Sequence, residues 1–268
     1  MTVTMADALA HGHGVERPFC CPMHGDSHPS ASLNILKMVW FCYTCHAHGQ
    51  VGGEDLLVET DYDALRGYIA KETAEATELP ESWLNSYESD HEYWRTRGFS
   101  EETISYYRLG HDYEHDCAVY PLRNISGGVL GVVRRQLAGA KYKHPYGVDI
   151  STLLFDYHRL ESDYLVICEG ATDVMAAHEV GVEATAVYGS RLSSAQAALV
   201  RRYDPVGVLV ASDMDDAGWS LYRMTCALLG EYPVSRVFWP RREGKDLASL
   251  PVKKRKEILL NGLEPFIT

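Results

Sequence analysis

Between residues 164 and 239, short apolar runs alternate with helix-length segments, and no other feature restricts the chain as strongly. The runs Tyr164 to Cys168, Ala184 to Val187, Val206 to Ala211 and Val234 to Trp239 are each short enough to be a buried strand. Between them, Ala171 to Val180, Ser193 to Arg202 and Gly218 to Leu229 are each long enough for a helix. Repeats of this kind build a parallel sheet whose crossover helices cover its faces, so the segment predicts an α/β layer.

Carboxylates follow two of the runs. Glu169-Gly170 comes directly after the first, and Asp173 falls in the first turn of the next helix. Asp213 and Asp215 follow the third run, and a spacing of two in extended chain turns both the same way. Open α/β sheets build their sites at the carboxyl ends of strands. Acids gathered there repel one another unless a cation lies between them, and hard oxygen donors select Mg²⁺ or Mn²⁺. That suits phosphate chemistry, with Asp246 able to join from a neighbouring loop. Taken alone, Asp213 to Gly218 reads equally well as a turn that caps a helix; Glu169 at the end of a second strand favours the metal.

The first 60 residues are of another kind. They are rich in Cys, His, Gly and Pro, and the apolar stretch Leu33 to Phe41 suffices for a ribbon but not for a core. A segment this small needs a metal to fold. Cys21-Pro22-Met23-His24 and Cys42-Tyr43-Thr44-Cys45 form two close pairs a hairpin apart, the pattern of a closed tetrahedral zinc site. The two-residue spacing selects Cys21, His24, Cys42 and Cys45, with Cys20, His28, His46 and His48 also near. Lys37, Trp40 and Tyr43 on such a ribbon either contact unpaired bases or pack within it.

The stretch from Asp61 to Asp90 is acidic, broken by Pro80, and reads as a linker with helical pieces. Beyond it, Glu92 to Tyr107 predicts two short helices parted by Gly98, with Ser100 as the second cap. Ala118 to Leu122 and Val129 to Arg134 then flank Ser126-Gly127-Gly128 as a hairpin. The formal net charge of −12 argues against a protein that coats nucleic acid nonspecifically. Its distribution is uneven: Cys117 to Gly147 carries Arg123, Arg134, Arg135, Lys141 and Lys143 and no acid. No apolar stretch reaches the roughly 18 residues of a membrane span, and no signal segment is seen, so no membrane partner and a cytoplasmic location are expected.

These motifs resemble a known family. Val166-Ile167-Cys168-Glu169-Gly170-Ala171-Thr172-Asp173 with Ser212-Asp213-Met214-Asp215-Asp216-Ala217-Gly218 is similar to the Toprim fold of primases, topoisomerases and related nucleases. The Cys21 to Cys45 region resembles the zinc module that precedes Toprim in DnaG-type primases of bacteria and phages. Tyr93 to Phe99, Tyr120-Pro121-Leu122-Arg123, and Gly131 through Arg135 to Pro145 resemble the amino-terminal part of their polymerase core. Nearly the whole chain is covered, in family order.

The resemblance implies four parts: a zinc-binding domain over 1–60, a linker over 61–90, an α+β polymerase subdomain over 91–160 and a Toprim subdomain over 161–268. It implies short RNA primers made on single-stranded DNA from ribonucleoside triphosphates, with two catalytic Mg²⁺ or Mn²⁺ ions and one structural zinc. Glu169 would be a metal-site acid or general base, and Asp213 and Asp215 the principal ligands. Asp173 and Asp246 would support them, and Arg134, Arg135, Lys141 and Lys143 would clamp nucleotide or template phosphate. Leu247-Ala248 stands where many members carry a further acid, and no fused helicase motif is present. A phage or plasmid primase working with a separate replicative helicase is the form expected. The rivals are a noncatalytic recombination mediator that joins a zinc finger to Toprim, and a Toprim nuclease.

Overall fold

A computed structural model of the chain describes residues 4, 7–8, 16–35, 39–50, 77–87, 90–137 and 142–267. Strand pairing gives three four-stranded sheets among these residues. The first is antiparallel, in the order β1 (Glu16–Phe19), β2 (Ala31–Asn34), β3 (Val39–Cys42), β4 (His48–Gln50). Alternation sends Phe19, Ala31, Leu33, Trp40 and Cys42 to one face, where they make a miniature core. That interior is small for an independent unit, as its composition leads one to expect. Trp40 is buried, its ring edge-on to Phe19 at 5.8 Å, so it packs within the ribbon. Phe41, the next residue on the strand, and Tyr43 are exposed instead. Lys37 lies outside the described residues.

Next come α1 (Glu92–Thr96) and α2 (Glu101–Tyr107), with Ser100 accepting from the Thr103 amide as the cap of α2. They pack on the second antiparallel sheet, β5 (Gly110–Asp112), β6 (Cys117–Arg123), β7 (Val129–Gln136), β8 (Tyr142–Lys143). The β6–β7 turn closes through Asn124, whose side-chain oxygen accepts from the amides of Ser126 at 3.0 Å and Gly128 at 2.8 Å, and Gly127 takes the left-handed backbone that the turn requires.

Both faces of β6 are covered. Ala118, Tyr120 and Leu122 join the main core, whereas Val119 meets Leu84 with Val129 and Val132. Leu84 lies in a short 3-10 helix, Glu81–Ser86, that follows Pro80. Residues 77–87, which the sequence assigns to a linker, therefore pack as part of this subdomain. Leu79 bridges to Val129, and Glu81 pairs with Arg108 at 2.8 Å and Arg123 at 2.7 Å. Residues 61–76 of that linker lie outside the described residues.

The third sheet is parallel throughout, in the order β10-β9-β11-β12, from β9 (Leu165–Cys168), β10 (Thr185–Ala186), β11 (Val208–Ala211) and β12 (Val234–Arg236). The period of two assigns its faces. Val166, Cys168, Leu209 and Ala211 meet the helices α3 (Ala171–His178) and α6 (Val252–Ile267). Leu165, Ile167, Val208 and Val210 meet α4 (Ser194–Tyr203) and α5 (Asp216–Leu228). Helix α6 has no counterpart in the sequence reading because Gly262 and Pro265 interrupt its pattern. Gly262 is the residue of closest approach, since a Cβ there would lie 2.8 Å from Val237 and 2.9 Å from Leu209. From β9 the chain steps to β10 on one side and then returns to β11 on the other, so the strand order reverses between β9 and β11.

Candidate metal centres and the pocket between two sheets

The loop after β1 and the turn after β3 bring Cys21, His24, Cys42 and Cys45 together, with one donor atom from each within 4.8 Å of all the others. Cys21 Sγ and Cys45 Sγ are 3.7 Å apart, close to the edge of a tetrahedron with metal–sulfur bonds of about 2.3 Å. Burial alone would raise the Cys42 thiol. The amides of Cys45 and Thr44 and the Ser30 hydroxyl outweigh it and bring the thiol down to about 6, which favours the thiolate that a metal needs. His24 Nδ1 has no hydrogen-bond partner among the described residues, and its Nε2 is 3.0 Å from Asp26 Oδ1. Asp26 also accepts from the Cys21 amide at 2.9 Å and from the Ser30 hydroxyl, so it shapes the loop that carries two of the four. Three sulfurs and one imidazole suit zinc and leave no open position. His28 bonds Ser27, and the His46 ring lies 5.9 Å from that of Phe41, tilted by 49°.

The second centre lies where the strand order of the parallel sheet reverses. Glu169, following β9, and Asp213 and Asp215, following β11, offer carboxylate oxygens within 4.8 Å of one another. Glu169 Oε1 accepts the Asp213 amide at 3.0 Å, which ties the two strand ends together. The Asp215 side chain caps α5 by accepting from Gly218 at 3.1 Å. The capping reading of that turn therefore holds, and the same carboxylate stands in the acidic group. Gly218 closes the loop tightly, for a Cβ there would lie 2.0 Å from the Asp213 carbonyl oxygen.

Burial and the nearby charge of Asp213 push Glu169 up to about 7. Burial and Asp246 push Asp213 up to about 6. Asp173 is pushed up to about 8, by burial first and then by Asp246 and Asp213. Acids held this way are poised to exchange protons for a divalent cation, and the donor set fits one. Asp173 and Asp246 stand one step back. Asp173 Oδ1 accepts the Ala248 amide at 3.1 Å, and Asp246 caps the turn Leu247–Ser249, although both line the same cavity as Glu169 and Asp213.

These shifts make a pH prediction. Glu169 and Asp213 hold protons more tightly folded than unfolded, where 4.5 and 3.8 are usual, so the folded state binds more protons between about pH 4 and 7. The contribution of these two acids to the stability of the metal-free protein should fall as pH rises through that window. Stabilisation by Mg²⁺ should grow across the same range, because the ion competes with those protons. Melts at pH 5 and pH 8, with and without Mg²⁺, check both signs; metal stabilisation equal at the two pH values would refute the coupling.

The cavity over this centre, about 350 Å³, is walled on its far side by Arg97, Tyr120, Arg135, Tyr142 and His144 from the antiparallel subdomain. Strand parity decides which basic residues reach it. Arg135 and its cross-strand partner Tyr142 face the acids, with the guanidinium 4.8 Å from the Tyr142 ring centre and donating to its hydroxyl. Arg134 and Lys143 pair on the opposite face, away from the acids. There Arg134 Nε lies 2.5 Å from Asp112 Oδ2, a carboxylate that is also held by His115 and the amides of Glu114 and His115. Lys141 lies outside the described residues.

Arg134→Ala should thus cost about 1–3 kcal/mol by leaving a buried carboxylate short of its cation. Arg135→Ala should cost under about 1 kcal/mol. Urea melts of the two variants check the order, and an equal loss would contradict the assignment of faces.

Four participants near the acids escape a sequence reading. Lys245 Nζ lies 3.8 Å from Asp213 Oδ2. Arg236 donates to the Asp213 carbonyl at 2.7 Å while its guanidinium lies 4.3 Å from the Trp219 ring centre. Burial lowers His144, keeping its imidazole neutral near pH 7. Tyr188 enters the cavity from a left-handed backbone, φ 59°, that nothing in its sequence context signals.

Comparison with known proteins follows the same lines. Residues 166–250 match the Toprim-like family. The chain is 24% identical to a DNA primase of Campylobacter jejuni over 92% of its own length and 52% of the relative's. It is 25% identical to a DNA primase of Helicobacter pylori, over 74% of this chain and 48% of that one. The chain thus spans about half the length of these curated relatives. Among solved structures, the zinc-binding and RNA polymerase domains of the Aquifex aeolicus primase superpose with a TM-score of 0.57 at 18% identity, covering 94% of this chain and 79% of that one. The primase fragment of the bacteriophage T7 primase-helicase gives 0.53 at 17% identity, covering 92% and 98%. Both agree with the order of ribbon, antiparallel subdomain and parallel sheet described above.

Proposed function

We propose that this chain, which carries a Toprim-like domain within a fold of the DnaG-primase type, is a DNA primase that joins ribonucleotides into short RNA starts on single-stranded DNA. The observation that supports this most directly is the convergence of Glu169, Asp213 and Asp215, within 4.8 Å, at the point where the strand order of the parallel sheet reverses. The acids face a wall that bears Arg97 and Arg135 across one cavity. Carboxylates opposite guanidinium groups suit a reaction in which a charged triphosphate is held and cut.

Bound Mg²⁺ or Mn²⁺ would supply the neutralising charge at the attacking and leaving oxygens. Asp213 and Asp215 would hold it, with Glu169 completing the set. Glu169 has one oxygen engaged by the Asp213 amide, so its other oxygen is the one available to take the proton of an attacking 3′-hydroxyl. Arg135 and Arg97 orient the triphosphate, and the lysine ammonium of Lys245 offsets charge beside Asp213. Asp173 and Asp246 shape the floor beneath these groups.

The ribbon is proposed to hold one structural zinc through Cys21, His24, Cys42 and Cys45 and to meet the template with Phe41 and Tyr43, whose exposed rings are 5.4 Å apart. A separate replicative helicase is the partner we infer, and the cytoplasm the compartment. Among the described residues no helix is long and apolar enough to cross a membrane.

The test is direct: purified protein, single-stranded DNA of varied sequence, labelled ribonucleotides and Mg²⁺ should give short RNA. Nicked DNA without RNA would favour a nuclease, and binding without chemistry a recombination scaffold.

A further inference from the structure

Arg236 ends β12, level with Val210 on β11 and so beside the point where the acidic loop leaves the sheet. Its side chain is buried yet thinly bonded. One terminal nitrogen donates to the Asp213 carbonyl at 2.7 Å, while Nε and Nη1 have no hydrogen-bond partner among the described residues. Buried cations are ordinarily paired or fully hydrogen-bonded. Here two aromatic rings take that part: the guanidinium carbon lies 4.3 Å from the centre of the Trp219 ring and 5.2 Å from that of Phe238, and the two rings are 5.4 Å apart.

Strand parity builds this bracket. Val234 and Arg236 point to the face of the sheet that α5 covers, whereas Val237 points to the α6 face. Trp219 comes from the first turn of α5, directly after Gly218 and four residues after the capping Asp215. Trp219 is 40% exposed and Phe238 58%, against 8% for Arg236, so the rings serve as a cover over the cation more than as core. Asp213 is thereby held through both flanking peptide groups: its amide donates to Glu169 and its carbonyl accepts from Arg236. Burial lowers Arg236, and the charges of Glu169, Asp215 and Asp213 oppose that lowering, so all three acids are within electrostatic reach.

We propose that Arg236, held under Trp219 and Phe238, is the positioning residue of the acidic centre: it fixes the loop carrying Asp213 and Asp215 in the arrangement that receives a divalent cation, before any cation is present. The inference rests on the metal reading of these acids. Arg236 is no ligand itself, since a guanidinium has no lone pair to give. It acts through the Asp213 backbone. Three carboxylates within 4.8 Å repel one another, and a grip on the carbonyl resists that repulsion without occupying a carboxylate oxygen. Lys245 differs in this respect, because its ammonium lies beside the Asp213 carboxylate. Positioning and plain charge balance have opposite signs. A cation that only offset the acids would compete with a divalent ion, and its removal would tighten metal binding. Removal of one that shapes the loop loosens it.

The experiment titrates Mn²⁺ into the intact, zinc-loaded and nucleotide-free chain and follows the free ion by electron paramagnetic resonance, with Asp213→Asn marking the site. Arg236→Met and Arg236→Lys should each weaken Mn²⁺ binding about tenfold, the lysine because it keeps the charge but not the planar fork or its stacking. Trp219→Leu leaves every charge in place at a part-exposed position and should still weaken binding about threefold. In RNA synthesis the Mg²⁺ concentration for half-maximal rate should rise by the same factors, with kcat at saturating Mg²⁺ within about twofold of wild type, a recovery that a general loss of structure would not show. Tighter Mn²⁺ binding in Arg236→Met, or wild-type affinity in both Arg236→Lys and Trp219→Leu, would overturn the positioning role and leave the metal centre in place. A wild-type chain without Mn²⁺ binding that Asp213→Asn removes would overturn both.

Discussion

Glu169→Gln should reduce RNA primer synthesis about 10³-fold or more while leaving the fold unchanged. The amide oxygen of glutamine can still accept the Asp213 N–H at the position Glu169 Oε1 now holds, 3.0 Å away, so the tie between β9 and β11 survives. What disappears is the negative charge that the proposed mechanism uses to hold a divalent cation and to receive a proton. Asp213→Asn should behave alike. The metal-free forms of both variants should melt at or above the wild-type temperature, because each removes one of the mutually repelling, partly buried acids that raise their neighbours' pKa values. Short-product gels and melting curves on the same preparations check the pair of outcomes. Synthesis within tenfold of wild type would mean that the chemistry lies elsewhere.

The second large effect concerns the ribbon. A metal binding four protein ligands supplies on the order of 10 kcal/mol to a domain of this size, far more than the small interior around Phe19, Leu33 and Trp40 can replace. Cys42→Ser, or a zinc chelator, should unfold this sheet and leave the rest of the chain standing, since the large cluster that joins α1, β6, β9 and α6 does not involve it. Trp40 reports the event: it is buried against Phe19, and its emission should shift to the red on unfolding. Template-dependent initiation should fail with it. Excess Mg²⁺ restores the acidic site to a chelated sample but not the ribbon, and so separates the two metals. Metal analysis should find one zinc per wild-type chain, and a Cys42→Ser protein that keeps full zinc and full initiation would refute the assignment.

Which parts of this structure could be read in the sequence depends on how local the signal was. The parallel sheet announced itself because its central strands β9 and β11 are buried on both faces and so read as unbroken apolar runs, and each of the four strands was recovered to within a few residues. The grouping of Cys21, His24, Cys42 and Cys45 was legible from a two-residue spacing, and that of Glu169, Asp213 and Asp215 from their position just beyond strand ends. What the sequence hid depends on contacts between distant segments. Leu79 and Leu84 sit among acids in a stretch that resembles a linker, and only the second sheet shows that they have something to cover. Arg134 and Arg135 are indistinguishable until one knows which face of β7 looks toward the parallel sheet. Arg236 reads as an ordinary strand residue, and its bond to the Asp213 carbonyl appears only once β12 lies beside β11. The left-handed turn at Tyr188 is likewise imposed by its neighbours.

The missing side chain at position 218 sets how freely this centre can be varied. With 2.0 Å between a would-be Cβ and the Asp213 carbonyl oxygen, even alanine must push the acidic loop off its strand end, and no distant substitution can restore room that backbone atoms occupy. At Gly170, on the other acidic loop, the nearest atom would be 3.7 Å away. A selection that randomised both positions would return glycine alone at the first and a mixture of small residues at the second, so the loop after β11 is a fixed point around which the remainder of the pocket is free to drift.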